Sequence, residues 1–253
     1  MIDYLKNLMV NGRAMYLAYD HGFEHGPEDL PGESVRPEYV LDIAAQGGYN
    51  AVILQKGLAE KYYAESAYQK RIPLILKING KAGIWKGGDL YPRQNCSVAY
   101  AKKLGASAVG YTIFLGSAYD GEMFQDFGRI VEEAHSLKIG AIAWIYPRGE
   151  FVKDDDSTEM TAYAARIGLE LGADMVKIKY SGSMENFREA VKAAGKTKVV
   201  LSGGPRLDQE TQFLEMLKSV MQAGASGVAV GRNVWQHPKP LEMTEKIKKI
   251  IFG

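Results

Sequence analysis

A short wording recurs four times along the chain, and it constrains the fold more than any other feature. The segments are Gly47-Gly48-Tyr49-Asn50-Ala51-Val52, Gly105-Ala106-Ser107-Ala108-Val109, Gly172-Ala173-Asp174-Met175-Val176 and Gly224-Ala225-Ser226-Gly227-Val228. Each follows an apolar-periodic stretch and leads into a β-rich run. That order describes a helix stopped by a left-handed glycine and then a strand. Working outward from these segments predicts eight strands: Ala14–Tyr19, Asn50–Leu54, Pro73–Ile78, Ser107–Thr112, Gly140–Tyr146, Asp174–Lys179, Lys198–Ser202 and Ser226–Gly231. Their starts lie roughly 23 to 36 residues apart, which leaves room for one crossover helix each time. Helical patterns fill the gaps, among them Ser157–Leu171, with Ser157 as N-cap, and Glu210–Ala223.

Eight βα units in 253 residues predict one (β/α)₈ TIM barrel spanning residues 1–253 as a single domain. The competing reading is an open, doubly wound sheet. It is disfavoured because the strand count reaches eight and no dinucleotide fingerprint follows the first strand. No linker, low-complexity tract or second domain is visible. The triplet Asp154-Asp155-Asp156 reads as a solvated loop ahead of a helix. Residues 81–95, carrying Lys81-Ala82-Gly83, Lys86-Gly87-Gly88 and Tyr91-Pro92, form a longer loop that is either an active-site flap or surface decoration.

Composition narrows the function classes. With 31 Lys and Arg against 30 Asp and Glu, the formal charge is +1, and no basic cluster offers a nucleic-acid backbone a footprint. One cysteine, Cys96, excludes a disulfide framework and a thiolate zinc site, and makes a reducing cytoplasm the default location. Apolar runs such as Ala141–Tyr146 fall well short of the roughly 18 residues that span a bilayer, so no membrane partner is expected.

In a barrel, catalytic groups stand at the C-terminal ends of strands and on the loops beyond them. Lys177 and Lys179 share one face of the sixth strand. Facing inward, two ammonium groups would lower each other's pKa, and a neutral lysine can attack a carbonyl to form a Schiff base. The alternative places both under the helix layer together with Met175, where unpaired charge is costly. Trp144 and Tyr146 have the same parity on the fifth strand. Tyr146 is a candidate general acid/base acidified by nearby cations, while Trp144 is equally readable as lining or as packing. Ser202, Gly203 and Gly204 follow strand seven, and Gly231 and Arg232 follow strand eight. Barrels commonly hold phosphate there, glycines admit a close anion, and Arg232 adds a fork of donors.

His21 and His25 are four apart, like a helical metal-ligand pair. Gly22, Gly26 and Pro27 argue against a regular helix across them, and His135 and His237 lie far away in the sequence. No metal and no cofactor is therefore expected. The two histidines read as loop groups that hydrogen-bond substrate or one another. Asp20 could orient a lysine or a substrate hydroxyl, or cap the following turn.

Together Tyr19-Asp20-His21-Gly22-Phe23-Glu24-His25-Gly26-Pro27, Trp144-Ile145-Tyr146-Pro147-Arg148-Gly149, Lys177-Ile178-Lys179-Tyr180, Ser202-Gly203-Gly204 and Gly231-Arg232-Asn233-Val234-Trp235-Gln236 resemble the archaeal-type class I fructose-1,6-bisphosphate aldolases. The likeness runs from about Leu17 to Gln236. It implies a Schiff-base aldolase on a TIM barrel that cleaves the bisphosphate to dihydroxyacetone phosphate and glyceraldehyde 3-phosphate. The Schiff-base lysine would be Lys177 and the proton-donating tyrosine Tyr146. Substrate contacts would be Asp20, His21, His25, Asp29, Trp144, Arg148, Lys179, Ser202, Gly203, Gly204, Gly231 and Arg232. The N-terminus starts closer to the first strand than this resemblance leads one to expect. A homo-oligomer, a decamer of two stacked pentamer rings, is implied as well. Relatives on the same barrel use the lysine on other substrates, among them an amino-sugar synthase of aromatic biosynthesis and a thiolase of a phosphorylated signalling sugar. The Glu24-His25-Gly26 continuation favours the bisphosphate aldolase. From another class, a catalytically silent sugar-phosphate binder would require neither Lys177 nor Tyr146.

Overall fold

In the computed structural model, which describes residues 3–83, 89–150 and 152–253, the four repeated glycine segments do what their wording implies. Gly48, Gly105, Gly172 and Gly224 all adopt positive φ, between 67° and 99°. Each reverses the chain at the end of a helix and hands it to a strand. The strands are β1 (Ala14–Tyr19), β2 (Ala51–Gln55), β3 (Leu74–Lys77), β4 (Ala106–Leu115), β5 (Gly140–Pro147), β6 (Met175–Ile178), β7 (Lys198–Ser202) and β8 (Gly227–Val230). All pair in parallel in chain order, and β1 also pairs with β8, so the sheet closes into a barrel. Closure removes the open-sheet alternative. Against expectation the strand limits shift by only a residue or so, except that β4 runs on to Leu115, paired with Pro147.

The principal outer helices are α2 (Pro37–Gln46), α4 (Val98–Lys103), α5 (Asp120–Ser136), α6 (Thr158–Glu170), α7 (Met184–Ala193), α8 (Glu210–Gln222) and α10 (Pro240–Phe252). After β2 a short α3 (Lys56–Leu58) continues into a π turn over Ala59–Tyr63. Two single turns, α1 (Gly22–His25) and α9 (Arg232–Trp235), sit on the loops after β1 and β8. Ser157 caps α6, its Oγ accepting from the Met160 N–H at 3.3 Å.

The period-two alternation of the strands divides the core in two. Met15, Leu17, Val52, Leu54, Val109, Tyr111, Val176, Ile178, Val228 and Val230 belong to the layer packed under the helices. Ala14, Tyr16, Ala18, Ile53, Ile75, Ala108, Ile142, Trp144, Met175, Val200 and Ala229 fill the barrel itself. Leu5 and Leu8 join that inner group. The short N-terminal segment thus packs onto the barrel's lower end, where a Cβ at Gly140 would press on Leu5 at 3.1 Å and touch the Tyr4 carbonyl at 3.4 Å. Met175 lies inside, and Lys177 shares its parity. The reading that put this face under the helices is therefore excluded.

Of the longer loop, residues 84–88, including Lys86-Gly87-Gly88, lie outside the described residues. Near its end Asn79 holds the loop down, donating to the carbonyls of Pro92 at 2.8 Å and Thr112 at 2.9 Å. Among the described residues no helix is long and apolar enough to cross a membrane.

Candidate active site

The C-terminal ends of the strands surround a cavity of about 490 Å³. Lys177, Tyr146, Trp144, Asp20, His21, His25, Arg148, Lys179, Ser202, Gly203, Gly204, Gly231 and Arg232 all line it. Asp29 is set behind them. It accepts from Arg232 Nη1 at 3.0 Å and stands 3.5 Å from His25 Nδ1, so it reaches the cavity through those two side chains.

Trp144 forms part of the floor. The indole is almost wholly buried and occupies the space a side chain would need at position 110, since a Cβ on Gly110 would come within 1.6 Å of its ring. Lys177 sits above this ring with Nζ 5.3 Å from the centroid, within reach of the negative face of the π system. Packing and site lining are thus the same role for Trp144.

The second ammonium over that indole is Lys77, at 5.7 Å, and not Lys179. Lys179 lies one residue beyond the end of β6 and pairs with Asp155. Both lysines line the cavity, as their shared parity led one to expect, but Lys179 is paired with Asp155 and so is not an uncompensated charge acting on Lys177. Past the last ladder bond the chain leaves the strand, and the acidic triplet is near enough to claim the ammonium. That triplet is no bare solvated loop, because Asp155 meets Lys179 and Asp156 lines the cavity.

Lys77 is also paired, to Glu24 at 2.5 Å and Asp20 at 3.3 Å. Burial alone would push its pKa down, but Asp20 and Glu24 override this and hold it well above the usual lysine value. Burial alone would push the Asp20 carboxyl up. Lys77, Lys177 and His21 outweigh it and hold Asp20 far below the ordinary carboxylate range. Among the described residues the cavity has three lysines, and Lys77 and Lys179 are tied to carboxylates. Among the described residues Lys177 makes no ion pair within 4.0 Å.

Tyr146 projects from the end of β5 with its hydroxyl 3.3 Å from Ser202 Oγ on β7. Arg148, exposed, stacks its guanidinium on Phe114 at 5.0 Å. His21 is half-buried, and its poor solvation pushes the imidazole down to about 4, leaving it neutral at neutral pH. Its ring lies 6.0 Å from that of His25. A single helical turn does form across the two, ended by Gly26 at φ 81°. The pattern of glycines therefore stops the helix rather than preventing it. Among the described residues no three His, Cys, Asp or Glu side chains converge as metal ligands would.

On the β7–β8 side, glycine is required by crowding. A Cβ on Gly231 would meet the Ala18 carbonyl and the His21 ring at 2.8 Å, and Gly204 has φ 67°. The Gly203 N–H is already committed to the Ala229 carbonyl at 2.9 Å, so it is not free for an anion. Asn233 braces the β7 loop, donating to Gly203 O and Pro205 O and accepting from the Leu207 N–H. Trp235 Nε1 donates to Ala18 O, which ties α9 to β1. Arg232, which lines this end of the cavity, has a buried Nε without a hydrogen-bond partner among the described residues.

Sequence reasoning passed over Lys77, Glu24 and Asp155. The available signal was a lysine closing the apolar run Leu74–Lys77. Its counter-ion, Glu24, was visible only as part of a motif.

A family model described as DeoC/LacD family aldolase matches residues 14–237. The chain is 45% identical over 252 residues to the class 1 fructose-bisphosphate aldolase of Thermoproteus tenax, covering 99% of this chain and 94% of that protein. It is 41% identical over 244 residues to the protein of the same name from Halobacterium salinarum, covering 96% and 91%. Among solved structures, an archaeal fructose-1,6-bisphosphate aldolase with its catalytic lysine bound to the substrate's carbinolamine superposes with a TM-score of 0.94. Identity there is 43%, over 99% of this chain and 98% of the other.

Proposed function

The chain belongs to the DeoC/LacD aldolase family, and from that premise we propose that it is a class I, Schiff-base fructose-1,6-bisphosphate aldolase, a lyase, with Lys177 as its nucleophile. One observation carries the assignment of the lysine: of the three in the cavity, Lys177 alone among the described residues is untied to a carboxylate. A lysine held by two carboxylates stays protonated, whereas attack on a carbonyl needs a free lone pair.

In this reading the Lys177 amine adds to the C2 carbonyl of the open-chain bisphosphate and water departs. The resulting iminium draws the electrons of the C3–C4 bond as it breaks. Tyr146, having given its phenolic proton to the departing water, takes the proton from the C4 hydroxyl and keeps it for the enamine, and the aldehyde product, glyceraldehyde 3-phosphate, leaves. Protonation of the enamine at C3 and hydrolysis of the imine release dihydroxyacetone phosphate and restore the lysine. Buried Asp20 and neutral His21, both beside Lys177, would hold substrate hydroxyls. Arg232 with Gly204 and Gly231 receives one phosphate, and Lys179 with Arg148 the other. No metal or cofactor is called for, because the iminium is the electron sink.

The enzyme is placed in the cytoplasm, where buried Cys96 would remain reduced. It is placed in a homo-oligomer, the decamer implied by its sequence resemblance, and as one catalytic domain over residues 1–253.

A coupled cleavage assay on fructose 1,6-bisphosphate beside fructose 1-phosphate, in buffer containing EDTA, tests the reading. Preferred turnover of the bisphosphate, unchanged by the chelator, is expected. Activity lost on chelation and restored by zinc would move the chain to metal-dependent chemistry and make His21 and His25 ligands.

A further inference from the structure

Lys77 is the best-connected charge in the cavity, and the mechanism above leaves it without a task. Resting on the aldolase reading of the same cavity, we propose that Lys77 is a positioning residue for carbon–carbon cleavage. Its ammonium fixes the Asp20 carboxylate beside Lys177 and, through Glu24, clamps the loop after β1 over the reacting centre.

The geometry of the two loops supports this. Lys77 closes β3 and is 4% exposed, so it reaches Asp20 and Glu24 from inside the barrel. Just beyond it, the chain after β3 lies hard against α1. A Cβ on Gly80 would come within 2.7 Å of the Phe23 ring, and one on Gly83 within 2.1 Å of the Glu24 carbonyl. The ion pair therefore joins two segments already in backbone contact, and one of them carries Asp20, His21 and His25.

Charge balance sets the consequence of removing it. The groups acting on Asp20 are Lys77 from β3, Lys177 from β6 and adjacent His21, with Glu24 bound to the far side of Lys77. Without Lys77, two carboxylates share a partly buried space and, among the described residues, Lys177 becomes the one lysine near Asp20. Like charges so placed do not both stay ionised. Asp20 then takes up a proton at higher pH, or draws Lys177 toward it. Either result leaves the carboxylate wrongly placed at the cleavage step while the phosphate contacts, on other loops, persist. Lys77 cannot itself be the nucleophile, because its two carboxylate partners keep it protonated.

The test compares Lys77→Met and Glu24→Gln with the unaltered enzyme. The readouts are borohydride trapping of dihydroxyacetone phosphate and the pH profile of bisphosphate cleavage. For Lys77→Met, kcat is expected to fall by about 10- to 100-fold with KM within about threefold. The acid limb of kcat should move to higher pH, and trapping should still map to Lys177. Glu24→Gln leaves Lys77 beside Asp20, so kcat should fall by only about three- to tenfold, with the acid limb unmoved. An acid limb that stays in place in Lys77→Met, or a loss confined to KM, overturns the proposal. If Lys77→Met does not fold, an unchanged kcat in Glu24→Gln overturns it instead. Failure to trap substrate in the unaltered enzyme would refute the aldolase reading itself, independently of Lys77.

Discussion

The ammonium of Lys177 stands 5.3 Å from the centre of the Trp144 indole, and the same indole fills the void that Gly110 leaves on the neighbouring strand. A glycine on β4 therefore sets the height of the lysine on β6. The ring also carries Lys77, so one aromatic plane locates an unpaired lysine and a paired one together. The favourable face of the ring and the burial of the indole make this a fixed platform.

Gly110→Ala should for that reason act through Trp144. The added methyl overlaps the ring and displaces it, at a cost of about 1–3 kcal/mol in stability. Activity should fall along with the melting temperature. In Gly110→Ala combined with Trp144→Phe, the smaller ring should restore stability more than activity. Calorimetry beside a cleavage assay measures both, and a Gly110→Ala enzyme with unchanged melting and turnover would deny the platform its role.

Tyr146→Phe removes one oxygen and one contact with Ser202, of about 1 kcal/mol, and keeps the ring. If Tyr146 carries the C4 proton, kcat should drop by about 10²–10⁴. Imine formation at Lys177 is a separate step and should survive in a trapping experiment. Turnover within a fewfold of the unaltered enzyme would reduce Tyr146 to packing.

Arg232→Met should raise KM for the bisphosphate about ten- to a hundredfold, a loss of about 1.5–3 kcal/mol, with a smaller change in kcat. Because Asp29 would be left without its guanidinium partner, Arg232→Met with Asp29→Asn controls for the stranded carboxylate. Steady-state kinetics of both variants give the answer, and an unchanged KM would make the β8 loop structural.

How much of this was legible in the sequence differs from element to element. The barrel was, because Gly48, Gly105, Gly172 and Gly224 mark successive helix-to-strand reversals and the alternation of each strand survives closure. The parity of Lys177 with Met175 was visible too, and the cost of unpaired charge under the helices favoured the inward direction that the closed sheet shows. Lys77 was not visible as a site group. Within Leu74–Lys77 it looks like the end of a buried strand, and its partners come from a loop more than fifty residues earlier. Nor was the capture of Lys179 by Asp155 visible, since it depends on where the chain turns after β6. Asp29 shows the same limit: the motif puts it near substrate, and the fold puts Arg232 in between.

Acid should weaken the fold through His21. Its imidazole titrates near 6.5 when unfolded and about 4 when folded. Between these values the unfolded chain takes up a proton that the folded chain refuses. Stability is thus fully present above pH 6.5 and declines as pH falls toward 4. Asp20, whose pKa is also depressed on folding, adds its own loss only once pH falls below the ordinary carboxylate range. The melting temperature should drop by roughly 5 °C across the His21 window, and His21→Gln should flatten that slope. A slope unaltered by the substitution would mean that His21 is not the titrating group.

The most direct test of the whole account is to reduce the enzyme with borohydride in the presence of dihydroxyacetone phosphate and to map the added mass. The expected result is one adduct per chain on the peptide carrying Lys177, with neither adduct nor cleavage in a folded Lys177→Ala variant. An adduct on Lys179 or Lys77, or cleavage persisting in Lys177→Ala, would contradict it.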